Sequence, residues 1–201
     1  MHDTDWYSHY QQRLGRLDFE SDDLDRFYAQ NSEFIDYVLQ REPKRLIEAG
    51  AGLARDALVL AHRAKDVSVT LFDIDQRFLD LGEKNAKRLG LQDRLDTRQG
   101  DLLQLSSTVL SRYDICFSCG VLEHFEDAEI QTILEQELNI ASTVVFTVPV
   151  RSEANLRYFK DSIYRRLLTR EEWNRVLTPF SIKEVLTLRG RHEDILVTLA
   201  S

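Results

Sequence analysis

The stretch that most restricts how this chain can fold spans residues 45–56, R-L-I-E-A-G-A-G-L-A-R-D. Leu46 and Ile47 form a short apolar run of the kind buried in a parallel strand, and the run stops at Glu48-Ala49-Gly50-Ala51-Gly52. Beyond it, Ala54, Ala57, Leu58 and Ala61 recur at helical spacing. Two glycines between a strand end and a helix start let the backbone turn tightly and come close to a ligand. The loop therefore reads as a nucleotide cradle. A dinucleotide fingerprint needs a third Gly or Ala three positions after Gly52, and Arg55 stands there instead.

From residue 44 onward the same alternation repeats. Residues 67–72 are β-branched and alternating and end at Asp73-Ile74-Asp75, which predicts a second strand. A helix carrying Phe78, Leu79, Ala86 and Leu89 follows, with Gly90 as its C-cap. A weaker strand over residues 95–98 breaks at Gly100-Asp101. Residues 113–118 form a fourth strand followed by a helix over 126–138, and residues 143–148 form a fifth that Pro149 ends. Residues 151–168 read as a locally basic helix, and Thr169-Arg170-Glu171-Glu172 matches a capping box that starts another. Residues 180–188 and 195–199 read as two strands joined by Arg189-Gly190-Arg191. A connection this short permits only antiparallel pairing. The expected architecture is α/β, a three-layer sandwich around a mostly parallel sheet that finishes in an antiparallel hairpin.

Composition narrows the class of function. A net charge of −8 disfavours nucleic acid and anionic membrane as partners, and no segment has the apolar run a membrane span needs. The amino-terminal residues lack a basic start and an apolar run, which suggests a cytoplasmic location. Cys116 and Cys119 have C-x-x-C spacing, but residues three apart on a strand point to opposite faces, so they read as structural thiols and no metal site is expected. The first forty residues interleave Trp6, Tyr7, Tyr10, Phe27, Phe34 and Tyr37 with acids and glutamines. They are expected to form a helical cap or lid over residues 1–43, with residues 44–201 as the main body of a single compact unit.

The polar residues that end the strands fall at one edge of the sheet, where open α/β folds bind ligands. They are Glu48, Gly50 and Gly52, then Asp73, then Asp101, then Ser118 and Gly120. Asp73 follows Gly52 by 21 residues, close to the spacing of an acid that accepts from ribose hydroxyls. Asp101 could accept from an exocyclic amine.

Glu48-x-Gly-x-Gly, Leu71-Phe72-Asp73-Ile74-Asp75, Gln99-Gly100-Asp101 and the run Cys119-Gly120-Val121-Leu122-Glu123-His124 together resemble the motifs of class I S-adenosylmethionine-dependent methyltransferases. The V-L-E-H sequence is similar to that of members acting on small metabolites. The resemblance covers residues 44–149, extends through the final hairpin, and leaves the first forty residues unmatched. It implies a Rossmann-like, seven-stranded fold and S-adenosylmethionine as cofactor. Glu48, Gly50 and Gly52 would line its methionine end, Asp73 the ribose and Asp101 the adenine, with Ile74, Leu102 and Ser118 also counted among the cofactor-binding residues. The acceptor would be a small molecule, with His124 as a candidate base whose ordinary pKa suits neutral pH. Arg157 and Arg166 are candidates for meeting an anionic acceptor. Two other readings share these residues: an inactive S-adenosylmethionine-binding scaffold that docks partners through the aromatic amino terminus, and an NAD-dependent oxidoreductase, which Arg55, Asp101 and the hairpin disfavour.

Overall fold

The computed structural model describes residues 4–161, 163–189 and 193–200. Helices α1 (Trp6–Leu14) and α2 (Ser21–Leu39) precede strand β1 (Arg45–Ala49). Then follow α3 (Arg55–Arg63), β2 (Ser68–Asp73), α4 (Gln76–Arg88), β3 (Leu95–Gln99), the short α5 (Leu105–Thr108), β4 (Tyr113–Cys119) and α6 (Asp127–Ile140). The chain continues through β5 (Ala141–Pro149), α7 (Glu153–Tyr158), α8 (Arg170–Val176), β6 (Ile182–Arg189) and β7 (Glu193–Ala200).

The strands form one seven-stranded sheet in the order β3-β2-β1-β4-β5-β7-β6. Pairing is parallel from β3 through β5 and antiparallel for β5 with β7 and β7 with β6. This is the expected mostly parallel sheet with an antiparallel end; Gly190 and Arg191 of the anticipated hairpin turn lie outside the described residues. Alternation along each strand sends side chains to two separate cores. Leu46, Val69, Leu71, Ile115 and Phe117 meet α2, α3 and α4 on one face. Ile47, Phe72, Cys116, Val144 and Phe146 meet α5, α6 and α8 on the other, around the fully buried Trp173. Cys116 belongs to this second core and Cys119 packs against the first, so the thiols diverge as the strand period requires, and burial holds both well above the usual thiol range.

The amino-terminal residues share the first core: Leu17, Phe19, Leu24, Phe34, Ile35 and Val38 are all buried in it. The buried Asn85 of α4 fastens the link between α1 and α2, accepting from the Phe19 amide at 3.1 Å and donating to the Leu17 carbonyl at 3.3 Å. One helix is shorter than expected. The span 151–168 is helical only over α7, because the backbone beyond it bonds to the loop after β4 instead of to itself. The Arg166 amide donates to the Glu123 carbonyl at 2.8 Å, the Tyr164 carbonyl bonds the His124 ring, and Val150 bridges Leu168. Asn155 anchors the start of the segment, its buried amide spanning the Val150 carbonyl and the Glu193 backbone.

Candidate active site

Strand order reverses between β1 and β4, and there the carboxyl ends of the parallel strands open into a cleft of about 570 Å³. The glycine loop after β1, the end of β2, and the loop after β4 form its floor, and Trp6 and Tyr10 of α1 cover it. Another hollow, about 630 Å³, lies on the far side of α1 beside Leu17 and Lys84; it holds none of the strand ends, and its acids Asp18 and Asp80 are not buried.

The glycines do what the sequence requires of them. Gly50 has φ 73°, and a β-carbon there would sit 3.0 Å from both methyls of Val121. Gly52 has φ 49° and open space where a side chain would stand, while its amide donates to Asp73 Oδ2 at 2.8 Å. The Asp75 amide donates to Asp73 Oδ1 at 2.9 Å. The Asp73 carboxylate is thus held by one amide on each oxygen, leaving a second lone pair on both.

Glu48, Asp56, Asp73 and Glu123 stand among the acids that line this cleft. Glu48 is 4% exposed, and its Oε2 accepts from the Ala57 amide at 3.3 Å, so a carboxylate occupies the amino end of α3. Burial, then the neighbouring Asp56 charge, pushes Glu48 well above the usual carboxylate range. Burial raises Asp56 to about 7, partly offset by the Arg55 charge, and raises Glu123 to about 8. Asp73 is also pushed up by burial, against the pull of its backbone donors. Arg55 and Arg165 pull Asp56 and Glu123 down only in part, and Glu123 Oε2 has no hydrogen-bond partner among the described residues.

His124 faces the same cleft. Its Nδ1 lies 2.6 Å from the Tyr164 carbonyl, which can only accept, so Nδ1 carries the proton and Nε2 has the free lone pair. Nε2 lies 3.8 Å from Glu123 Oε1, and the Trp6 ring stands edge-on with centroids 4.6 Å apart. Burial lowers the His124 pKa to about 4, keeping the ring neutral through the physiological range.

Of the residues expected here, Glu48, Gly50, Gly52, Asp73, Ile74, Leu102 and His124 line the cleft. Asp101 and Ser118 do not. Asp101 caps the turn Leu102–Gln104 by accepting from the Leu103 amide at 3.0 Å. Ser118 is in phase with Cys116, so strand alternation turns its hydroxyl into the second core, where it is 1% exposed. Arg157 pairs with Glu153 on an exposed face, and Arg166 pairs with Asp127 and donates to the Phe125 carbonyl; neither reaches the cleft. Arg13, Arg55 and Arg165 reach it instead, with Glu123. Arg55 opening α3 just ahead of the apolar run 57–61 was the available signal. Among the described residues no three His, Cys, Asp or Glu side chains are grouped as metal ligands, and no helix is long and apolar enough to cross a membrane.

A seven-stranded sheet of this order, with an acid-lined glycine loop at its switch point, defines the class I, Rossmann-like methyltransferase fold. Residues 46–141 match the family model described as a methyltransferase domain. A curated relative, O-methyltransferase hkm8 of Aspergillus hancockii, is 24% identical over 119 residues, which are 58% of this chain and 47% of the relative. The chain thus spans about half the length of that protein. Among solved structures it is similar to magnesium protoporphyrin IX methyltransferase (ChlM) from Synechocystis PCC 6803 with bound SAH. The TM-score is 0.73 at 15% identity, covering 97% of this chain and 95% of that one. The methyltransferase domain of bacterial CtHen1 has a TM-score of 0.68 at 19% identity over 86% and 98% of the chains, and mitomycin 7-O-methyltransferase MmcR 0.69 at 14% over 80% and 50%. At such identities the likeness is one of fold.

Proposed function

We propose that this chain is an S-adenosylmethionine-dependent methyltransferase that methylates an oxygen, nitrogen or carbon nucleophile of a small molecule. The observation carrying this reading is the set of buried acids around the glycine loop. Glu48 fills the amino end of α3, where a dinucleotide fold would seat its pyrophosphate, and Asp56, Asp73 and Glu123 share the cleft. A phosphate is repelled there, whereas a cation is welcomed and returns the carboxyls to their charged forms. The donor set therefore fits a sulfonium cofactor better than NAD. When bound, S-adenosylmethionine supplies a methyl group on positive sulfur that is open to direct displacement.

In this reading Glu48, Gly50 and Gly52 hold the methionine end, and Asp73 accepts from the ribose hydroxyls through its unused lone pairs. Ile74, an apolar side chain left 51% exposed in the cleft, and Leu102 flank the adenine. Asp101 serves indirectly, by capping the turn that carries Leu102. His124 Nε2 is the base for an acceptor that arrives protonated, oriented by the Nδ1 bond to Tyr164. Helix α1 closes the cleft as a lid and excludes water through Trp6 and Tyr10. The chief contribution of the protein is to hold acceptor and methyl donor in line.

Calorimetric titration with S-adenosylmethionine and its demethylated product, with NAD as control, tests the reading on the native chain and on Asp73→Asn. Micromolar binding of both sulfur ligands, none of NAD, and a large loss in a variant that still melts cooperatively are expected. Absence of binding to the native chain would refute the assignment.

A further inference from the structure

The cleft is also lined by α1, α2 and residues Tyr158, Phe159, Tyr164 and Arg165, where its lining is aromatic and basic. Arg55 is the centre of this second region. Its guanidinium carbon lies 5.2 Å from the Phe19 ring centroid and 5.7 Å from that of Phe27, between two aromatic walls. Its Nε is buried and has no hydrogen-bond partner, and the side chain forms no ion pair among the described residues. Arg13, in the last turn of α1, lines the same region, also without an ion pair among the described residues.

Other arginines also lack ion pairs, but among the described residues no other arginine has a buried nitrogen without a hydrogen-bond partner. Arg16 and Arg26 share Asp23, Arg77 spans Asp5 and Asp75, and Arg165 holds Asp161. A buried guanidinium donor left unpartnered is costly, and a ligand that completes it recovers that cost. The planar fork matches a carboxylate, and the neighbouring Phe27 and Tyr10 rings offer flat apolar surface. A phosphate dianion would meet stronger repulsion from Glu48, Asp56 and Glu123 than a carboxylate monoanion does.

We propose that the acceptor is a small aromatic carboxylic acid, its carboxylate bound by Arg55 with help from Arg13 and its ring lying against Tyr10 and Phe27. This assignment rests on the methyltransferase reading above. With its carboxylate engaged by Arg55, the acceptor would offer a ring hydroxyl or amine as the nucleophile. Methyl transfer then leaves a methyl ether or methylamine and the neutral thioether, with the displaced proton passing to His124 or water.

The test uses the native chain, Arg55→Gln and Arg55→Lys, each checked by thermal melting. Calorimetry first reads binding of the demethylated cofactor, then binding of hydroxybenzoates against the matching hydroxybenzamides on the loaded protein. Mass spectrometry follows methyl transfer. The native chain is expected to prefer acids over amides by roughly ten- to a hundredfold, the scale of one charge-assisted hydrogen bond to a guanidinium. Arg55→Gln should abolish that preference while cofactor binding stays, and Arg55→Lys should keep part of it. Equal binding of acids and amides by the native chain, or no binding of either, overturns the acceptor assignment while cofactor binding stands. Loss of cofactor affinity in Arg55→Gln with the acid preference intact also overturns it, because the guanidinium then serves the cofactor's own carboxylate. Failure of the native chain to bind the cofactor sinks the methyltransferase reading and this one together.

Discussion

Glu137 sits in the last turn of α6 with 0% exposure and no hydrogen-bond partner on either carboxyl oxygen among the described residues. Burial alone raises its pKa from an ordinary 4.5 to about 8. Below pH 4.5 the group is protonated in folded and unfolded chains alike and stability does not depend on it. Between 4.5 and 8 the unfolded chain releases the proton that the folded chain keeps, so stability falls by about 1.4 kcal/mol per pH unit. Near pH 7 the accumulated cost is about 3 kcal/mol, and above 8 it levels at about 5 kcal/mol. Glu137→Met removes the ionisation and keeps most of the volume. The assay is urea unfolding of both chains from pH 5.5 to 7.5, taking the difference so that the other raised acids cancel. The advantage of the variant should grow by about 3 kcal/mol over those two units. Parallel curves would show that Glu137 titrates normally and that its burial is relieved by hydration, refuting the argument.

Other outcomes follow from the cleft. His124→Ala should lower kcat roughly a hundredfold if Nε2 takes the acceptor proton, and the native rate should show no histidine limb between pH 6 and 8 because the ring is already neutral; unchanged turnover and pH profile would remove the base role. Cofactor binding near pH 7 should release protons, since a cation pulls the raised Glu48, Asp56 and Glu123 back into ionisation, and calorimetry in buffers of different ionisation enthalpy would read zero exchange if the acids were already charged. Gly50→Ala forces a β-carbon into positive φ and against Val121, and should cost about 1–3 kcal/mol in unfolding experiments; relief by adding Val121→Ala would separate crowding from backbone strain. Trp6→Ala should raise the acceptor KM more than that of the cofactor if α1 is a lid, and an equal rise in both would make it a structural cap.

Much of the scaffold was legible because it depends on local periods. The strand ends, the glycine loop and Asp73 all follow from runs of apolar residues and where they stop. Ser118 could have been placed correctly too, because the reasoning that separates Cys116 from Cys119 puts Ser118 on the side of Cys116. Residues 151–168 misled for the opposite reason: their helical spacing loses to hydrogen bonds with Glu123 and His124, 40 or more positions earlier in the chain. In the sequence Arg55 stands out only as the residue that breaks a dinucleotide fingerprint; that Phe19 and Phe27 lie against it is a tertiary fact. Its choice over Arg157 and Arg166 depends on tertiary contacts that spacing cannot express.

The position of β7 between β5 and β6 bears on how the chain assembles. Strand β6 bonds to the sheet only through β7, although it is synthesised first. A ribosome emitting this chain therefore releases β5 with a bare outer edge and β6 with nowhere to go, and both wait for Glu193–Ala200 to arrive. Any shortening that reaches β7 leaves two unpaired edges rather than one frayed end, so nascent or clipped forms should be the ones that chaperones must shield.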